Sequence, residues 1–246
     1  MIRSATLFSP VLVMLLGIAP ARAQMNGGVK GIKVENLPNF DLRRFHFGFL
    51  LCYNTSDFFM KLDPQAYTRD SVLVVDHLRK PGFNLGIVAS LNANPNWSIR
   101  FLPTLSFQER VLQYEFRQSD GSLVFFQKPI ESTYLEFPLL VRFRTDRINN
   151  FAAYMIAGGK FCIDMASQKD VDNALDDDVV VKLRRNDYAA EVGGGVDMFL
   201  PYFKFGIELK ASFGIPNLLI DDATRFSTPI ESLRSKAWIL TFTFEG

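Results

Sequence analysis

From residue 45 onward, apolar and polar side chains alternate with a period of two, the repeat of an extended strand whose faces meet different surroundings. Over 45–54, Phe45, Phe47, Phe49, Leu51 and Tyr53 share one face, while His46, Gly48, Leu50, Cys52 and Asn54 share the other. The same period recurs over 83–93, 97–108, 132–145, 151–165, 187–199, 202–213 and 236–245. The stretch 202–213 is the cleanest, with Phe203, Phe205, Ile207, Leu209, Ala211 and Phe213 opposing Lys204, Gly206, Glu208, Lys210 and Ser212. Pro103 weakens the third strand, because proline has no N–H to give to a ladder.

Short turns near 95, 147 and 200 alternate with long polar segments at 55–82, 109–131, 166–186 and 214–235. This rhythm predicts about eight antiparallel strands in up-and-down order, closed into a barrel with tight turns at one end and long loops at the other. The segment 109–131 holds Val111, Tyr114, Phe116, Val124 and Phe126 around Asp120-Gly121, which predicts a hairpin projecting from the loop end.

The beginning of the chain has a different pattern. Arg3 precedes an apolar stretch that ends in Ala21-Arg22-Ala23, a signal peptide with its small-x-small cleavage site. The expected organisation is a signal peptide over 1–23, a periplasmic segment over 24–44 and a barrel over 45–246. No other apolar run is long enough for a membrane helix, so a chain that stays in a membrane must cross it as a closed barrel.

Composition then decides between destinations. The chain holds 24 Phe, an excess that a lipid-facing wall could leave on its outside, although a soluble sandwich could bury it. Formal charge is +1, with Lys and Arg dispersed, so nucleic acid is not an expected partner. The polar strand faces carry Arg100, Glu136, Arg142, Arg144, Lys160, Asp164, Glu191, Asp197, Lys204, Glu208 and Lys210 in balanced sign, as a narrow lumen closed by ion pairs would require. An eight-stranded closure leaves an interior that side chains fill. The expectation is an all-β transmembrane barrel of the outer membrane, not a pore, with lipid around it and both termini in the periplasm.

Candidate chemistry is sparse. Cys52 and Cys162 are too few for a disulfide scaffold and are expected as two buried free thiols, with a single bridge as the alternative. His46 and His77 are the only histidines; His77 could pair with Ser56 or Ser71 as a nucleophile and base, but no elbow motif supports this and solvated loop residues are expected instead. The acidic run Asp170, Asp172, Asp176, Asp177 and Asp178 could attract calcium but lacks the spacing of a loop motif. Gly193-Gly194-Gly195 lies within a strand and carries no phosphate-binding signal. No catalytic, cofactor-binding or metal residue is assigned, no cofactor is expected and no small-molecule substrate is implied.

The run Val34-Glu35-Asn36-Leu37-Pro38-Asn39-Phe40-Asp41, followed by His46-Phe47-Gly48-Phe49, Asn54 and Asp57-Phe58, resembles the start of PorT-family proteins of Bacteroidota. Ser132-Thr133-Tyr134-Leu135-Glu136-Phe137-Pro138-Leu139-Leu140-Val141-Arg142 is similar to a middle strand of that family. The resemblance implies a non-enzymatic outer-membrane component of the type IX secretion system, which exports proteins bearing C-terminal sorting domains, with other secretion proteins as partners. Cys52 departs from it, standing where relatives tend to carry glycine. An outer-membrane adhesin or ligand-binding barrel acting through its loops is the alternative.

Overall fold

The structure, a computed structural model, describes residues 35–63, 72–117, 122–167, 181–222, 224 and 226–246. Its strands are β1 (Phe45–Leu62), β2 (Val72–Asn92), β3 (Trp97–Phe101), β4 (Thr104–Arg117), β5 (Leu123–Arg144), β6 (Phe151–Asp164), β7 (Asn186–Phe199), β8 (Lys204–Gly214) and β9 (Ile230–Glu245). Each pairs antiparallel with its neighbours, and β1 pairs with both β2 and β9, so the sheet closes on itself. β3 and β4 are two halves of one strand interrupted at Leu102-Pro103, which makes a ring of 8.

Proline's missing donor explains that interruption, and the surrounding backbone repairs it. Leu102 N–H donates to Pro138 O at 3.1 Å and Pro103 O accepts from Ile87 N at 3.0 Å, so β2 and β5 hold the halves in line. The outward set of β1 is the predicted one: Phe45, Phe47, Phe49, Leu51 and Tyr53 are all exposed, while His46, Leu50, Cys52 and Asn54 are buried. A belt of such side chains circles the barrel, including Phe83, Ile87, Trp97, Leu139, Met155, Tyr188, Leu209 and Trp238.

The strands outrun that belt. About 9–11 residues suffice for a tilted strand to cross a bilayer, whereas β1, β2 and β5 have 18, 21 and 22 residues. The surplus corrects the expected loop at 55–82, which is largely strand, and forms the expected hairpin at 109–131 from the ends of β4 and β5. Within the surplus the inward face turns from polar to apolar. Phe49 points out of the lower part of β1, but Phe58 near its other end is buried in a cluster with Leu112, Tyr114, Leu218, Phe226 and Leu233. An inside that turns apolar forms a core of its own, as a part of the barrel that stands in water requires.

β1 and β2 part at this level. Their ladder ends at Ser56 opposite Lys80, after which β1 continues along β9 to Leu62 and β2 continues along β4 to Val72.

Candidate functional site

A barrel's functional capacity lies in its lumen and at its two mouths, and here the lumen is filled by charge. Small inward residues make the room: a Cβ on Gly195 would meet Ile207 O at 2.4 Å and Tyr154 Oη at 2.7 Å, so only hydrogen fits there. Into this space project five acids and five bases that alternate as one continuous chain. Glu136 meets Lys160 at 3.0 Å, Lys160 meets Glu191 at 3.3 Å, and Glu191 meets Lys210 at 3.7 Å. Lys210 reaches Glu208 at 3.5 Å, which takes Arg100 at 2.9 Å; Arg100 in turn reaches Glu245 at 3.0 Å. Lys204 joins Glu245 at 2.8 Å to Asp197 at 3.7 Å, and Arg142 ends the chain on Asp197 at 3.1 Å.

Every member of this chain is buried. Isolated charges in such a place would carry a desolvation penalty of several kcal/mol each, and the alternation answers it by giving nearly every charge two opposite neighbours. Nine of the ten are legible in the sequence by their position on the polar face, and Glu245 on β9 completes the set. The links across the lumen, Arg100 to Glu208 and Glu245 and Arg142 to Asp197, could not be read, because they join strands that are not consecutive in the chain.

Beside the ionic zone lies a neutral polar one. Asn54 donates to Asn84, Ser106 Oγ donates to Asn84 Oδ1 at 2.8 Å, and Cys52 Sγ contacts Thr241 Oγ1 at 3.3 Å. Both cysteines are free and buried. Above it, Arg110 donates to Ser132 Oγ at 3.0 Å and Tyr134 Oη at 2.9 Å, with its guanidinium 4.5 Å over the Phe58 ring. The cavity beside Arg110, Tyr134 and Asp187 measures about 20 Å³, room for about one water molecule.

Both mouths are occupied. At the mouth near the short turns, residues 35–44 fold inward: Phe40 stacks on His46 with ring centroids 3.9 Å apart and meets Phe199 edge-on at 5.8 Å. Asp41 holds Arg144 at 2.8 Å and Arg147 at 3.0 Å, and Asn36 Nδ2 donates to Phe199 O at 2.9 Å. Partial burial lowers the Arg147 guanidinium from its ordinary value, and Asp41 opposes the shift. Leu37 takes a left-handed φ of 49° to make this turn, a strain of about 1–2 kcal/mol that the docked Phe40 offsets. At the other mouth, Leu183 pairs with Leu219, Leu218 N–H donates to Leu233 O at 2.8 Å, and Tyr114 Oη donates to Phe226 O at 2.9 Å.

The serine and histidine considered from sequence do not assemble. Ser56 Oγ donates into the lumen, to Gln108 Oε1 at 2.8 Å, whereas His77 Nε2 lies 3.1 Å from Asp57, which also takes Arg79 at 2.7 Å. Ser71 and the acidic run Asp170 to Asp178 lie outside the described residues, and so do 1–34. Among the described residues no group of His, Cys, Asp and Glu could hold a metal ion.

Solved structures share the outline at low identity. The crystal structure of Neisserial surface protein A (NspA) is 9% identical with a TM-score of 0.41, covering 80% of this chain and 96% of its own. The outer membrane protein OprG from Pseudomonas aeruginosa is 12% identical with a TM-score of 0.45, covering 82% and 95%. Ail, the attachment invasion locus protein of Yersinia pestis, is 12% identical with a TM-score of 0.35, covering 83% and 100%. No curated protein matches the sequence. Residues 23–219 match the family described as Outer membrane protein beta-barrel domain. With most of its length inside that match, and with a greasy belt outside a charged lumen, the chain belongs to the outer membrane protein β-barrel domain family.

Proposed function

We propose that this barrel is a non-enzymatic component of type IX protein secretion, needed to export proteins with C-terminal sorting domains. The observation that carries the reading is the filled lumen. Among the described residues, an ion-paired middle, a mouth closed by Phe40 and an apolar packing at the other mouth leave no route for a solute. A barrel of this kind acts through its surfaces on other proteins. The resemblance of residues 34–58 and 132–142 to PorT-family sequences supports secretion as the process. The short turns and both termini face the periplasm in this reading, and the long strands project outward.

Deletion of the gene tests it directly: sorting-domain cargo is expected to remain inside the cell, and normal export would overturn the role. Co-purification with a tagged barrel identifies which secretion proteins it contacts. A second reading, an adhesin or ligand-binding barrel, draws on the β4–β5 hairpin, whose Phe125 is 71% exposed. Deletion would then spare secretion and reduce surface attachment.

A further inference from the structure

The outer wall near the short turns has a groove where β1, β9 and the entry to β8 meet. Phe47, Phe49, Phe203 and Phe244 line it, with Gly246 at its edge, and it encloses about 530 Å³, within the ~300–1,000 Å³ of ligand pockets generally. Its walls are aromatic and fixed: Phe49 and Phe244 stack with centroids 4.7 Å apart, and Phe203 meets Phe244 at 6.0 Å. Gly246 is shared with a second cavity of about 340 Å³, formed with Leu37, Pro38, Asn39, Phe40, Arg43 and Tyr202. One apolar groove therefore adjoins a mixed cradle whose polar side chains are Arg43 and Asn39.

Arg43 is held in that cradle by its backbone. Its N–H donates to Phe40 O at 3.3 Å, and its carbonyl accepts from Asn92 Nδ2 at 3.3 Å and lies 3.0 Å from His46 Nε2. The guanidinium is exposed and has no acidic partner within ion-pair distance among the described residues. Beside it, Tyr202 is 89% and Leu42 79% exposed, an amphipathic ring and an aliphatic chain of the kind that settle at a membrane–water boundary. An unpartnered cation at the head of an aromatic groove matches a molecule with an anionic end and a hydrocarbon tail.

We infer that this groove and cradle form a binding site for one glycerophospholipid, with an acyl chain along Phe47, Phe49, Phe203 and Phe244 and the phosphate on Arg43. The orientation proposed above puts this rim in the leaflet that faces the periplasm; the site itself does not depend on the secretion role. Bound there, the lipid bridges the barrel wall and the 35–44 segment that closes the mouth.

Native mass spectrometry of the barrel folded in detergent micelles tests the inference without reference to orientation or secretion. With dioleoylphosphatidylglycerol or dioleoylphosphatidylethanolamine added, one lipid is expected to survive collisional activation that strips the rest. Arg43→Gln should reduce that retained fraction about tenfold, and Phe203→Ala should reduce it also. Arg234→Gln, at the opposite end, should leave it unchanged. Folding of each variant is checked by heat-modifiable migration on gels. Retention of phosphatidylglycerol alone supports an anionic headgroup, and equal retention of both lipids supports recognition of the shared phosphate. Equal retention by Arg43→Gln, or of dioleoylglycerol, which has no phosphate, overturns the site.

Discussion

Lys204 Nζ lies 2.8 Å from Glu245 Oε2, and neither side chain reaches solvent. The pair ties β8 to β9 inside the lumen, and Glu245 also receives Arg100 from the far side of the barrel. Arg100, bound to both Glu208 and Glu245, therefore carries the ion chain across the lumen to the β8–β9 pair.

Replacing that carboxylate leaves positive charge without compensation. Glu245→Gln is expected to lower stability by about 3–5 kcal/mol, measured by urea unfolding in micelles. The double variant Glu245→Gln/Lys204→Met should lose less than the sum of the single changes, because each removal relieves part of the imbalance left by the other. Strict additivity would show that the pair contributes nothing as a pair.

Two glycines of adjoining strands should respond to different degrees. At Gly195 a methyl group would strike Ile207 O and the Tyr154 hydroxyl, whereas at Gly159 its nearest contact is Ala189 O at 3.6 Å. Gly195→Ala is expected to destabilise by about 1–3 kcal/mol through overpacking. Gly159→Ala should stay within about 0.5 kcal/mol. Similar urea midpoints for the two would contradict the crowding described for the lumen.

Trp97 and Trp238 both point outward and are 48% and 47% exposed in the isolated barrel. Facing lipid, each should be quenched by phospholipids brominated along the acyl chains and only weakly by aqueous acrylamide. Single-tryptophan variants Trp97→Phe and Trp238→Phe separate the two signals. Acrylamide quenching as strong as for free tryptophan would place that wall in water.

The segment that closes the mouth depends on one ring. Phe40→Ala removes both the stack on His46 and the edge contact with Phe199, leaving Leu37 in a left-handed turn with little to hold it. Hydrogen exchange at the Phe40 amide, which donates to Leu37 O at 3.0 Å, should accelerate at least tenfold while the β7 and β8 amides keep their protection. An unchanged rate would mean that the segment is held by Asp41 and its arginines instead.

Period-two alternation was enough to place the wall, because each side chain's face follows from its parity once a strand starts. Phe45, Phe47 and Phe49 outward and Leu50, Cys52 and Asn54 inward needed nothing more. Parity fails where a strand leaves the membrane. Phe58 lies on the inward face and is apolar, so the alternation of greasy outside and charged inside that marks the wall does not mark its segment as strand. Phe40 was invisible for another reason: a single aromatic in a polar stretch has no period, and only the barrel's mouth gives it a partner. The lipid groove was equally hidden, since it joins residues 47, 203 and 244 through closure of the ring.

The alternating ion chain draws on β3, β5, β6, β7, β8 and β9, while β1 and β2 supply none of its members. Their hairpin meets the lumen instead with Leu50, Cys52, Asn54, Asn84 and Val88. The order of assembly is thereby given some freedom. The other strands can neutralise one another's charges before the first hairpin swings in, and that hairpin can then shut the cylinder without bringing an unmatched ion through hydrocarbon.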